Sequence, residues 1–79
     1  MELIKPGARA RAIRETPNLY AQPRPWVEPQ SCKAGFEFEV SDYVPADEAR
    51  EGKAFYWGTV DGWRNSVAVL ANDVEEVFG

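Results

Sequence analysis

The chain contains no histidine, one cysteine, and no apolar run approaching the roughly 20 residues that a membrane-spanning helix requires. Each absence removes a class of chemistry. With a single cysteine there can be no internal disulfide. Without imidazole, Cys32 has neither a zinc partner nor a general base, and it reads as a lone reduced thiol in a loop. Any hydroxyl nucleophile, such as Ser31, Ser41, Ser66, Thr16 or Thr59, would need a lysine or carboxylate as its base, and no spacing suggests such a pair. No glycine-rich phosphate loop and no calcium loop of recognised spacing are present. Neither cofactor nor metal is expected, and the expectation is a non-enzyme. Met1 to Pro6 lacks the apolar stretch of a signal peptide, which leads to the expectation of a cytoplasmic protein.

What is present is enough to fold. Seventy-nine residues suit one domain, taken as 1–79, near the lower limit for a core without disulfides or metal. With 44% hydrophobic residues and ten aromatics, the chain is too apolar for a disordered tail. The net charge of −4 is uneven: residues 1–33 carry six cations against three carboxylates, and residues 34–79 carry three against ten. An acidic chain is repelled by phosphate backbones at long range. Nucleic-acid binding would therefore have to rest on a local basic strip, for which Arg9, Arg11, Arg14 and Arg24 are the candidates.

Patterning then places strands. ARARAIR alternates small or apolar residues with arginine, so Ala10 and Ala12 should face inward and Arg9 and Arg11 outward. Residues 15–34 hold four prolines, at 17, 23, 25 and 29, and read as one long loop without strands, pinned by Leu19, Tyr20, Trp26 and Val27. GFEFEVSDYV is the clearest strand. Phe36, Phe38, Val40 and Val44 share one face, and Asp42 marks a bulge or bend. PADEAREG predicts a single helical turn ended by Gly52. Residues 53–60 form the next strand, Asp61-Gly62 begins a turn, VAVL returns, ANDV turns tightly, and VEEVF closes the chain.

Five short strands joined in this order predict an all-β fold, a small and partly open five-stranded barrel with a long proline-rich first loop and one short helical turn. The order of loops resembles that of the SH3-like barrel, and VAVLANDVEEV is similar to the closing stretch of that family, a short strand, a turn and a last strand. The turn residues differ from the eukaryotic peptide-binding pattern. The closing-turn proline is replaced within Val69-Leu70-Ala71 and the turn tyrosine by Asp73, Phe55-Tyr56-Trp57 stand where paired tryptophans would be, and the acidic cluster of the long loop is missing. The chain is therefore more similar to the small SH3-like proteins of bacteria and their viruses.

Aromatic residues carry the remaining functional reading. By strand parity Phe55 and Trp57 belong inside with Phe36, Phe38, Val40, Val60, Val67, Val69, Val74 and Val77, leaving Tyr56 and Tyr43 outside. Tyr20 and Trp26 on the long loop, Tyr56 on the strand and Trp63 at the hairpin tip would then converge on an amphipathic groove for a protein or peptide partner, with acidic residues steering a basic one. The alternatives are a small nucleic-acid-binding barrel using the four arginines, or a viral accessory, inhibitory or structural protein acting through its acidic surface. Exposed rings on so small a domain would also suit a homo-oligomer.

Overall fold

A computed structural model describes residues 3–19, 31–62 and 66–78. The fold is mostly β, with seven strands among these residues instead of five: β1 (Arg9–Ala12), β2 (Thr16–Pro17), β3 (Ser31–Cys32), β4 (Glu37–Val44), β5 (Phe55–Thr59), β6 (Val67–Leu70) and β7 (Val74–Glu76). The two additional strands are two residues each. They pair Thr16 with Cys32 and Pro17 with Ser31, closing the feet of the long first segment that was expected to be strandless. Pro17 can occupy such a strand because a two-residue ladder has no interior position that its missing N–H would break.

The other five strands form one antiparallel sheet in the order β6-β5-β4-β1-β7. This sheet is not closed into a barrel, because β6 and β7 are its two edges and no ladder joins them. The long segment occupies part of one edge instead. The Leu19 N–H donates to the Ala68 carbonyl at 2.9 Å, and the Ala68 N–H donates to Asn18 Oδ1 at 3.2 Å, so β6 receives one rung of pairing from residues beyond β2. Asn18 is buried, and its side-chain amide satisfies a strand donor that would otherwise be orphaned.

Both expected turns are present, but the helical one is the other of the two. Residues 45–52 form consecutive turns (Glu48 N–H to Pro45 O, 3.0 Å; Ala49 to Ala46, 3.3 Å; Gly52 to Ala49, 3.1 Å) and no helix. Among the described residues the one 3₁₀ helical turn lies instead at Ala71–Asp73, between β6 and β7. At the start of the chain the expected Pro6-Gly7 turn is present. The Ala8 N–H donates to the Lys5 carbonyl at 3.1 Å with Gly7 at φ 93°, a conformation that a residue with a Cβ rarely adopts.

The core forms on the face carrying Ala10, Phe38, Val40, Tyr56, Val67 and Val69, joined by Ile4 and Cys32, with Phe36, Tyr43, Val60 and Val74 half-buried against it. β1 alternates as expected, with Ala10 and Ala12 inside and Arg9 and Arg11 out. β4 does not keep one parity. Its register with β5 shifts between Val40 and Asp42, so Val40 opposes Gly58, Asp42 opposes Trp57, and Tyr43 opposes Tyr56. Ser41 is the extra residue of a bulge, pinned where Asp42 Oδ1 accepts the Tyr43 N–H at 2.8 Å. Past the bulge, Tyr43 joins the core face and Val44 moves to the side of Phe55.

Cys32 lies buried in β3 rather than in a loop, and burial pushes its thiol up to about 11 from an ordinary value of 9.0. Between these values the unfolded chain loses a proton that the folded one keeps, so stability is fully present below pH 9 and falls as pH rises to 11. The loss should amount to roughly 2 to 3 kcal/mol by the linkage of pKa to free energy. Urea titrations at stepped pH should show this decline in the native chain and a shallower one in Cys32→Ala.

Opposite Cys32, the Thr16 hydroxyl is buried with no hydrogen-bond partner. An unpaired buried hydroxyl costs about 1 to 3 kcal/mol. Thr16→Val keeps the branched shape and removes the orphan, so its urea midpoint should rise by the equivalent of about 1 kcal/mol. A fall in midpoint would mean that the hydroxyl is satisfied in solution.

Candidate functional site

Of the four aromatic residues expected to build a groove, Tyr56 is in the core. It is only 2% exposed, its ring lies against Tyr43 with centroids 5.2 Å apart, and its hydroxyl accepts the buried Ile4 N–H at 3.0 Å. The expectation that Tyr56 and Tyr43 stand outside is therefore corrected: Tyr56 is a structural residue. Phe55 and Trp57 lie on the opposite face of β5 from the core cluster, edge to face at 5.4 Å and 77°, with Phe55 buried and Trp57 half-buried. Tyr20, Trp26 and Trp63 lie outside the described residues, as does Arg24.

The basic strip is built differently from what its composition suggests. Strand pairing sets Arg11 opposite Glu37 on one side and Glu75 on the other, and Arg9 opposite Glu39. Arg11 binds Glu75 through Nε at 3.1 Å and through Nη2 at 2.5 Å, Arg9 approaches Glu37 at 3.9 Å, and Arg14 holds Asp73 at 2.6 Å and the Asn72 carbonyl at 3.0 Å. The hydrogen bond from Arg11 to Glu75, and then the charge of that carboxylate, raise the guanidinium pKa above its ordinary value. All three arginines are more than two-fifths exposed, so solvent screening leaves these pairs little weight in stability. Their larger consequence is electrostatic: the cations of β1 are matched by carboxylates from β4 and β7, and Arg14 beyond it by the 3₁₀ turn.

The described surface includes two concavities. A small one of about 150 Å³ lies beside β1, β4 and the end of β5, lined by Arg9, Glu37, Phe38, Glu39, Thr59, Val60 and Asp61. The larger one, about 450 Å³, lies between the 45–54 loop and the 3₁₀ turn. Its lining includes the apolar Ala46, Ala54 and Leu70 and the polar Lys53, Asn72 and Asp73. The Ala71 N–H donates to the Ala54 carbonyl at 3.0 Å, and Phe55 pairs with Leu70, which together hold the two walls in register. Exposed Asp47, Glu48 and Glu51 stand on the same loop.

The sequence marked none of these lining residues as a contact residue. Alanines and a single leucine inside turn-like text carry no chemical signature, and their juxtaposition depends on the β5-β6 register. Among the described residues, no group of three or more histidine, cysteine or acidic side chains could hold a metal ion, and no helix is long and apolar enough to cross a membrane. Comparison with protein-family models, with curated proteins and with solved structures found no match to this chain.

Proposed function

We propose that this chain is a non-catalytic interaction module that takes an extended protein or peptide segment. The observation that carries this reading is the cleft between the 45–54 loop and the 3₁₀ turn, which combines an apolar wall of Ala46, Ala54 and Leu70 with a polar rim. Exposed Asp47, Glu48 and Glu51 beside it favour a basic partner and would speed its approach. The matching fold reading is a diverged, open SH3-like domain. Its support is the sequence of a long first segment, a second loop, a hairpin connection and a one-turn 3₁₀ helix before the last strand. The neutralisation of Arg9, Arg11 and Arg14 weighs against a nucleic-acid surface.

Selection of peptides from a displayed library, followed by mapping of amide shifts, tests the proposal. Shifts should centre on Ala46, Lys53, Ala54 and Leu70. Ala46→Arg, at an exposed position of the apolar wall, should weaken the selected peptides tenfold or more without lowering the melting temperature. Unchanged affinity in Ala46→Arg, or shifts confined to another face, would overturn it.

A further inference from the structure

The two edges of the five-stranded sheet are treated differently. β6 is capped at Ala68 by Asn18 and Leu19, whereas among the described residues no strand or loop pairs with the outer edge of β7. The register of β7 with β1 shows which groups this leaves. Val77 N–H donates to the Arg9 carbonyl and the Asp73 carbonyl accepts the Ile13 N–H, so the odd-numbered residues face β1. By the alternation of an antiparallel ladder, the main-chain groups of Val74 and Glu76 then point outward. Such a row of outward groups is a template for another strand.

We infer that the outer edge of β7 takes an extended basic segment of a partner protein as a sixth strand of the sheet. Charge decides the occupant. β7 carries Glu75, which Arg11 holds, and Glu76, which has no cationic partner among the described residues. A second copy of this chain pairing through β7 would set carboxylates against carboxylates, and like charges directly opposite destabilise a ladder. A strand bearing lysine or arginine meets the opposite situation. Phe78, 83% exposed just beyond the edge, adds an apolar contact for residues alternating with the cations. This site uses the main-chain edge of β7 and not the cleft proposed above, whose lining ends at Asp73.

An acetylated seven-residue peptide alternating lysine and valine is a direct probe. On binding, the amides of Val74 and Glu76 should exchange at least tenfold more slowly, and affinity should fall as salt is raised. A peptide of the same sequence with N-methylated valines on the pairing edge should bind at least tenfold more weakly, as should the native peptide to the double variant Glu75→Lys, Glu76→Lys. Ala46→Arg should bind it normally, which separates this site from the cleft. Equal binding of the N-methylated peptide, absence of protection at Val74 and Glu76, or self-association of the chain through β7 in preference to peptide binding would overturn the inference.

Discussion

Gly58→Ala should destabilise this domain by about 3 kcal/mol, at the upper end of what overpacking a core usually costs. Gly58 is buried in the middle of β5, opposite Val40. A Cβ built there would meet Phe38 Cε2 at 2.9 Å, Phe38 Cδ2 closer still, and the Glu39 carbonyl oxygen at 3.1 Å. The ring cannot swing aside cheaply, because Phe38 is 1% exposed and packed in the core cluster. Its ring therefore occupies the volume that any side chain at position 58 would require. For a domain of this size the change should lower the melting temperature by more than about 10 °C. Phe38→Leu made together with Gly58→Ala should recover part of the loss, giving a favourable coupling of about 1 kcal/mol in a double-mutant cycle. A single variant within 0.5 kcal/mol of the native chain in urea would show that the ring does not lie over Gly58.

Tyr56→Ala should leave no stably folded domain. Removing a buried aromatic ring costs about 3 to 5 kcal/mol, comparable with the whole stability expected of a core this small. Were Tyr56 a surface contact, the same change would cost under about 0.5 kcal/mol. Tyr56→Phe isolates the hydroxyl. It leaves the ring against Tyr43 but orphans the buried Ile4 N–H, with an expected loss of about 1 to 3 kcal/mol. Circular dichroism and urea unfolding of the two variants distinguish the outcomes: a folded, near-native Tyr56→Ala chain would restore the ring to the surface.

Each of these effects depends on the inner face of β5, where local pattern and structure part. In ARARAIR a charged residue alternates with a small one, so only one orientation buries apolar surface without burying arginine, and the faces of β1 follow from the text. Phe38 and Val40 alternate with Glu37 and Glu39 for the same reason, and Asp42 interrupts the pattern at the observed bulge. Val67 and Val69 were also legible as core residues. Little of the candidate site was: Tyr56 left it for the core, and the cleft is lined by small residues that local pattern cannot mark.

The sequence by itself determined the existence and approximate limits of β1, β4, β5, β6 and β7, because alternation, proline and glycine act over a few neighbours. It could not orient Phe55-Tyr56-Trp57-Gly58, where both parities present large apolar rings. Tertiary structure decided that by volume and by register. The ring of Phe38 fills the space above position 58, which only glycine leaves open, and Gly58 on the inner face brings Tyr56 in with it. The bulge at Ser41 then turns Tyr43 inward to meet it. The open sheet edge and the two-residue ladder beneath the long segment were likewise decided there, since both arise from pairings between residues far apart in the chain, whose closure no local pattern encodes.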